Sequence, residues 1–330
     1  MPLSIETRPA PCASLASARL QAHLHSERPC RLTVLGATGS IGRSTLDLVA
    51  RHADLFEIVA LTAQSNVAEL AQLAVAHRAR YAAIGDPSRA GELRDALAGT
   101  GIVAMAGSEA VVESAGIPAD CIMAAIVGAA GLKPTFAAAA QGSRVALANK
   151  ECLVSAGDVF TRELTRHGTE LLPVDSEHSA AFQALAGSDV ATVEKIVLTA
   201  SGGPFRTWTH DAIAAATPEQ ALKHPNWSMG AKITIDSATM MNKGLELIEA
   251  FHLFPVAADA LDCLVHPQSI VHCLVSYMDG SVLAQLAPPD MRTPIAVALA
   301  WPGRMAAPTE KLDLARLATL SFEAPDEARF

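Results

Sequence analysis

The chain has 330 residues, of which 50% are hydrophobic and 18% charged, so it can form two domains with well-buried cores. The formal net charge of −9, without a basic cluster, argues against nucleic acid as the main partner, although a local pocket can still bind a small anion. Six scattered cysteines without a C-x-x-C pair are typical of reduced thiols, and residues 1–30 lack the apolar run of a signal peptide. We therefore expect a cytoplasmic protein.

From residue 31 onward, short apolar runs alternate with amphipathic segments. The strand-like runs are 31–35, 56–62, 81–84, 102–105, 122–127 and 144–148, and the helical patterns are 41–51, 67–78, 89–98, 109–114, 134–141 and 153–166. This alternation predicts a parallel sheet with crossover helices, a doubly wound fold. The most apolar stretch, residues 121–140, contains Lys133-Pro134 and two glycines. It therefore fits a buried strand, a turn and a core helix better than a membrane span.

The pattern changes after Val174. Strand-like runs at 193–199, 270–277 and 282–286 accompany one long helical pattern at 237–251, and Met278-Asp-Gly-Ser281 has the composition of a hairpin turn. This mixture predicts an α+β second domain that begins at residue 175. Beyond Trp301 the chain is rich in Pro, Ala and charged residues.

The first strand is followed by Gly36-Ala-Thr-Gly39-Ser-Ile-Gly42, which leads into the first helix. A dinucleotide pyrophosphate binds backbone N–H groups at such a turn, and this context favours a dinucleotide over an ordinary Gly-rich turn. The second strand ends in Ala63-Gln64-Ser65-Asn66, without the carboxylate that NAD enzymes use for the ribose 2′-OH. The absence of that carboxylate favours NADP, although this run contains neither Arg nor Lys.

Polar groups also follow two later apolar runs. Asn149-Lys150-Glu151 ends a strand at the rim where ligands gather, so Lys150 is expected to point into a site. Asp175-Ser176-Glu177 follows another apolar run, and an extended backbone would put both carboxylates on one side, where they could bind one cation. The alternative is that Asp175 or Ser176 caps a following helix.

The second half contains three further candidate segments. On a helix, Lys243, Glu246 and Glu249 share one face, which is either part of a site or a surface ion-pair ladder. Ser201-Gly202-Gly203 and a helix start at Ser237 are candidate anion sites. The loop 224–230, with a Trp and a Met, is either a lid over a ligand or simple packing.

Taken together, these strings resemble the 1-deoxy-D-xylulose 5-phosphate reductoisomerase family. The matching segments, in chain order from Leu32, are GATGSIGRSTLDLV, AAIVGAAGL, LANKE, LPVDSEH, SGGPF, HPNWSMG, DSATMMNKGLE, HPQSIVH and DGSVLAQL. The resemblance implies a Rossmann-like NADPH domain at 31–174, a catalytic domain at 175–300, and a linker at 301–330 toward a C-terminal helical domain that would lie beyond Phe330. Residues 1–30 would be a loose extension.

The resemblance also implies site residues. NADPH would be bound by Thr38, Gly39, Ser40, Ile41, Gln64, Ser65, Asn66, Asn149, Glu151 and Gly230. Mg²⁺ or Mn²⁺ would be bound by Asp175, Glu177 and Glu246, which with Lys150 would form the catalytic group. The substrate phosphate would be held by Ser201, Ser237, Asn242 and Lys243. The remainder of the substrate would be contacted by Lys150, Ser176, Glu177, His224 and Glu246.

The implied activity is NADPH- and metal-dependent conversion of 1-deoxy-D-xylulose 5-phosphate to 2-C-methyl-D-erythritol 4-phosphate, in isoprenoid precursor synthesis, by a homodimer. One departure concerns the cofactor, because many family members have Gly and then Lys or Arg where this chain has Gln64-Ser65. The rival hypotheses are a metal-independent NADP-dependent dehydrogenase and a non-catalytic NADP-sensing protein. The three carboxylates argue against the first, and a sensor would not need the SGGPF and NKGLE segments.

Overall fold

The computed structural model describes residues 28–326, except 224, 226, 228 and 229. The chain divides into two compact units, and the boundary falls between Asp175 and Ser176. We call them the parallel-sheet unit, which ends at Asp175 and also includes Met291–Pro308, and the mixed-sheet unit, which consists of Ser176–Asp290 and the chain from Thr309 onward. Most of the predicted N-terminal extension lies outside the described residues.

The parallel-sheet unit is built on seven parallel strands in the order β4-β3-β2-β1-β5-β6-β7. The strands are β1 (Cys30–Leu35), β2 (Phe56–Ala63), β3 (Tyr81–Ile84), β4 (Val103–Ala106), β5 (Cys121–Ala124), β6 (Arg144–Leu147) and β7 (Glu170–Pro173). The connecting helices are α1 (Ser40–Arg51), α2 (Val67–Ala76), α3 (Ala90–Ala96), α4 (Ser108–Gly116), α5 (Leu132–Ala139) and α6 (Glu151–His167). The strand order reverses between β1 and β5, and in open α/β sheets ligands bind at the carboxyl ends of the strands beside such a reversal.

The central strands are buried because their sequences are almost continuously apolar. Leu32, Val34 and Leu35 of β1 have no exposed surface, and β5 and β6 are buried along their whole length. Parallel sheets covered by helices on both faces require such runs. The predicted fold class of this half is therefore confirmed, and residues 121–140 form β5, a turn and α5.

The mixed-sheet unit contains a four-stranded sheet in the order β11-β10-β8-β9. Its elements are α7 (Ser176–Leu185), β8 (Val193–Ala200), α8 (His210–Ala214), α9 (Pro218–Ala221), α10 (Ala231–Ala238), α11 (Met241–Leu253), β9 (Leu261–Val265), β10 (Val271–Tyr277) and β11 (Val282–Leu286). Two helices follow in the chain: α12 (Arg292–Ala300), which belongs to the parallel-sheet unit, and α13 (Leu314–Leu317), which belongs to the mixed-sheet unit. Strand β10 pairs antiparallel with β8 and β11, and β8 pairs parallel with β9. The predicted hairpin around residues 278–281 and the α+β character are confirmed. Among the described residues, no helix has the length and apolarity needed to cross a membrane.

Two local predictions are wrong. The pattern at 237–251 predicts one helix, but Met240 has a left-handed backbone (φ 58°) that separates α10 from α11. Ser237 therefore lies in the last turn of α10 rather than at a helix start. The segment after β7 is not extended, because α7 begins at Ser176 and Glu177 lies in its first turn.

Candidate active site

The Gly-rich turn joins β1 to α1 at the carboxyl edge of the parallel sheet. Gly36 has φ +84°, and a Cβ atom on Gly42 would lie 2.3 Å from the carbonyl oxygen of Gly36. Only a glycine at position 42 lets the helix start this close to the turn. No side chain caps α1, and its first turn contains no acidic residue. The turn therefore fits a dinucleotide pyrophosphate, and it includes the predicted cofactor residues Thr38, Gly39, Ser40 and Ile41.

The end of β2 carries the next three predicted cofactor residues, Gln64, Ser65 and Asn66, all exposed. Asn66 also has a structural role, because its side chain accepts a hydrogen bond from the Glu69 backbone N–H and caps α2. The Asn66 Nδ2 donates to Glu69 Oε2 over 2.7 Å. From α1, the Arg43 guanidinium reaches the same carboxylate through Nε and Nη2. The sequence analysis did not include Arg43 or Glu69 among the candidate cofactor residues.

Asn149, a further predicted cofactor residue, is buried at the end of β6. Its Nδ2 donates to the carbonyl oxygens of Ile126 and Gly128 over 2.6 and 2.9 Å, and its Oδ1 accepts from the Cys152 N–H over 3.0 Å. The side chain thus fixes the loop after β5 and the first turn of α6. A cofactor contact from Asn149 remains a prediction, as do those of Glu151, which opens α6, and Gly230, which precedes α10.

Three predicted metal ligands converge. One oxygen from each of Asp175, Glu177 and Glu246 lies within 4.8 Å of the others. Asp175 follows β7, Glu177 lies in the first turn of α7, and Glu246 lies in α11 with a side chain only 2% exposed. Three carboxylates at this separation repel one another unless cations compensate them. Because the Glu246 side chain is buried, the alternative that it belongs to a surface ion-pair ladder is wrong.

Two lysines supply part of that compensation. Lys150 Nζ lies 2.7 Å from Asp175 Oδ2, whereas Lys243 contacts Glu246 and lies 3.7 Å from Glu177 Oε1. Two ammonium groups leave the three carboxylates with one net negative charge. An all-oxygen donor set of this charge fits a hard divalent cation such as Mg²⁺ or Mn²⁺.

Polar groups around the carboxylates orient them. The Ser176 hydroxyl donates to Glu177 Oε2 over 2.7 Å, and the Asn242 amide donates to Glu246 Oε1. Asn242 and Lys243, predicted to hold the substrate phosphate, thus both contact the Glu246 carboxylate. Their contact with a phosphate remains a prediction.

Behind Glu246 lies a buried pair that the sequence analysis did not assign. His178 Nε2 lies 2.9 Å from the Glu246 carbonyl oxygen, and His178 Nδ1 lies 3.2 Å from Glu249 Oε2. Both side chains are almost completely buried. The sequence feature that could have drawn attention to these two residues is their spacing, because His178 follows Asp175 by three positions and Glu249 follows Glu246 by three. This pair ties α7 to the backbone of α11 beside the carboxylates.

Two serines predicted to bind phosphate lie on neighbouring segments. Ser201 is followed by Gly202 and Gly203, which both have positive φ, and a Cβ atom on Gly203 would lie 2.5 Å from the Ser237 carbonyl oxygen. The loop after β8 therefore packs against the backbone at the end of α10. Of the remaining predicted substrate residues, His224 lies outside the described residues.

Comparisons with known proteins match most of the chain. A family model described as 1-deoxy-D-xylulose 5-phosphate reductoisomerase matches residues 32–157, and two models described as C-terminal domains of that enzyme match residues 171–254 and 286–330. The 1-deoxy-D-xylulose 5-phosphate reductoisomerase of Rhodospirillum centenum is 59% identical over 299 residues, which cover 91% of this chain and 74% of the relative. That of Zymomonas mobilis is 56% identical over 303 residues, or 92% of this chain and 78% of the relative.

Solved structures agree with these sequence matches. The Zymomonas mobilis enzyme in complex with NADPH superposes with a TM-score of 0.87 at 54% identity, covering 92% of this chain and 78% of that one. A DOX-P reductoisomerase in complex with NADPH, fosmidomycin and magnesium superposes with a TM-score of 0.87 at 45% identity, covering 91% and 77%. The resemblance inferred from the sequence motifs is confirmed.

Proposed function

The chain belongs to the 1-deoxy-D-xylulose 5-phosphate reductoisomerase family, and we propose that it rearranges and reduces 1-deoxy-D-xylulose 5-phosphate to 2-C-methyl-D-erythritol 4-phosphate with NADPH and a divalent cation. The observation that carries the proposal is the cluster of Asp175, Glu177 and Glu246, which lies beside two lysines. A metal-independent dehydrogenase or a cofactor sensor has no use for three carboxylates held this close together.

The carboxylates would hold the cation, with Mg²⁺ or Mn²⁺ suited to their oxygen ligands. When bound, the cation supplies Lewis acidity, which polarises a carbonyl group and acidifies a neighbouring hydroxyl. Burial of Glu246 and its hydrogen bond from Asn242 keep that carboxylate in one orientation. Because the carboxylate is already oriented, it does not have to reorganise during the reaction.

The lysines act on the substrate's negative charges. Lys150 is held by Asp175 at the end of β6, where its ammonium group can stabilise charge that develops on a substrate oxygen during rearrangement. Lys243, with Ser201, Ser237 and Asn242, would bind the phosphate. The phosphate does not take part in the reaction. The binding energy from its contacts can therefore be used to orient the carbon chain.

The Gly-rich turn, together with Gln64, Ser65 and Asn66, would bind the dinucleotide. When bound, NADPH supplies the hydride that reduces the rearranged aldehyde to the alcohol. One NADPH and one proton are consumed for each product formed.

The test is NADPH oxidation by the purified chain with 1-deoxy-D-xylulose 5-phosphate, with and without Mg²⁺. We expect turnover only when both are present, and a higher kcat/KM with NADPH than with NADH. Turnover that is unchanged in the presence of a chelator would contradict the metal assignment. Binding of NADPH without any turnover on this substrate would favour the sensor hypothesis.

Assembly and location are part of the same proposal. The homodimer implied by the family is measured by light scattering, and a monomer mass would contradict it. A cytoplasmic location is supported by the five described cysteines, none of which forms a disulfide: Cys30, Cys121, Cys152, Cys263 and Cys273.

A further inference from the structure

The end of β2 lacks a positive side chain in the sequence, but the fold brings one there from another element. Arg43 follows the last glycine of the Gly-rich turn, in the first turn of α1. Its Nη2 donates to Glu69 Oε2 over 2.7 Å, and its Nε donates to Glu69 Oε1. Glu69 belongs to the first turn of α2, so this ion pair connects the helix after β1 to the helix after β2.

The ion pair is held in place by a third residue. The Asn66 Nδ2 donates to Glu69 Oε2 over 2.7 Å, and the Asn66 Oδ1 accepts from the Glu69 N–H over 3.2 Å. The Arg43 hydrogen bond lowers the pKa of Glu69, and the Glu69 hydrogen bond raises the pKa of Arg43. Both groups therefore stay charged at neutral pH.

We propose that Arg43 is the residue that recognises the 2′-phosphate of NADPH, and that Glu69 and Asn66 position it. This inference rests on the proposed use of NADPH. In dinucleotide-binding βαβ units the adenosine ribose lies at the end of the second strand, beside the residues that follow it. Asn66 and Glu69 are in that segment, and their contacts bring the guanidinium to it.

The guanidinium can bind a phosphate without leaving Glu69. It has five N–H donors, of which the two contacts to Glu69 use two, and the Arg43 side chain is 58% exposed. A planar guanidinium suits phosphate oxygens, and Arg recognises phosphate in many proteins. Because Ser65 is uncharged, Arg43 supplies the positive charge that β2 and its loop do not.

Glu69 gives the arrangement a second consequence. A carboxylate near the ribose normally favours NADH, because it accepts a hydrogen bond from the 2′-OH and repels a 2′-phosphate. Arg43 neutralises the Glu69 carboxylate. Removing Arg43 therefore both deletes the phosphate contact and leaves an uncompensated negative charge, so the preference between the two cofactors should change strongly.

The test measures ligand binding directly by calorimetry, with adenosine 2′,5′-bisphosphate and with adenosine 5′-monophosphate (AMP), which lacks only the 2′-phosphate. For the wild-type chain we expect tighter binding of the 2′,5′-bisphosphate. For Arg43→Ala we expect about tenfold weaker binding of the bisphosphate, the loss of a partly exposed charged hydrogen bond. AMP binding should change less than about twofold, which is within the range of uncharged surface changes.

Arg51→Ala is the matched control. Arg51 lies at the other end of α1, is 51% exposed and forms an ion pair with Asp47. We expect it to bind both ligands like the wild type. Kinetics with NADPH should show that Arg43→Ala raises KM and leaves kcat nearly unchanged, while the kinetic parameters with NADH stay the same or improve.

The outcomes separate this inference from the proposed function. A wild-type chain that prefers the bisphosphate, with an Arg43→Ala variant that keeps the preference, overturns the role of Arg43 only. Equal losses for both ligands in a folded Arg43→Ala variant also overturn it, because Arg43 would then support the site as a whole. A wild-type chain without preference for the 2′-phosphate overturns both the inference and the use of NADPH.

Discussion

Replacing Glu246 with Gln tests the metal assignment most directly, because it preserves the shape of a buried side chain that we propose as a metal ligand and removes its charge. The carboxylate is 2% exposed and accepts hydrogen bonds from Asn242 and Lys243. A charged hydrogen bond contributes about 1.5–3 kcal/mol, so we expect the free energy of unfolding without metal to fall by about 2 kcal/mol. The variant should remain folded and still bind NADPH.

The larger expected effect is a loss of Mg²⁺ affinity. Loss of one of three carboxylate ligands should weaken Mg²⁺ binding by at least about 100-fold, since changes to outer-shell partners alone cost about 10–100-fold. At a Mg²⁺ concentration 100 times the wild-type Kd, binding stabilises the native state by about 2.7 kcal/mol. For the variant the same concentration gives at most about 0.4 kcal/mol. Nearly all turnover should be lost.

The assay compares thermal and denaturant unfolding with and without Mg²⁺, alongside NADPH oxidation. Glu194→Gln is the control, because it makes the same chemical change on the exposed part of β8. It should keep both the Mg²⁺-dependent stabilisation and the turnover. If Glu246→Gln shows near-normal turnover at low Mg²⁺ and wild-type stabilisation by Mg²⁺, Glu246 is not a metal ligand.

Three further substitutions test other parts of the site and the fold. Lys243→Ala should weaken substrate binding by about 1.5–3 kcal/mol and leave NADPH affinity unchanged, measured by titration of each; a selective loss of NADPH affinity contradicts the phosphate assignment. Gly203→Ala places a Cβ 2.5 Å from the Ser237 carbonyl at a positive φ, so unfolding measurements should show a loss of about 1–3 kcal/mol, together with a higher substrate KM. A loss below about 0.5 kcal/mol would show that the loop relaxes. Burial raises the pKa of Asp120, but hydrogen bonds from Arg28 and Arg31 outweigh it and hold that pKa far below its usual value. The resulting stabilisation is complete above about pH 4 and is lost as the pH falls further, so Asp120→Asn should flatten the acid side of the stability profile measured by denaturant unfolding; an unchanged profile refutes this.

The parallel sheet could be predicted because its strands are apolar on both faces and its turns contain glycine. Strand β9 was missed, since it lies at a sheet edge where Asp262 is exposed and the apolar run is short. The break at Met240 has no Gly or Pro to indicate it. A left-handed backbone is uncommon for methionine, so local propensity does not indicate a break at this position.

The convergence of Asp175, Glu177 and Glu246 was predicted, but partly for the wrong reason. An extended segment was expected to align Asp175 with Glu177, whereas the structure uses the end of a strand followed directly by a helix. The pair His178–Glu249 and the pair Arg43–Glu69 join elements distant in sequence. A spacing of three positions relates His178 to Asp175 and Glu249 to Glu246 along the chain, but no local pattern specifies which distant partner any of these side chains meets.

The side-chain amide of Asn149 connects the loop after β5 to the first turn of α6 in the parallel-sheet unit. Both of its donors go to carbonyl oxygens of the loop after β5, and its oxygen accepts from the first turn of α6. The Asn149 side chain therefore connects that loop to the turn that begins next to Lys150. Aspartate has nearly the same shape and could still accept from the Cys152 N–H, but its carboxylate would face two carbonyl oxygens and release the loop after β5. At this position the hydrogen-bonding pattern of the side chain, rather than its size, determines whether the loop after β5 stays attached to the segment that carries Lys150.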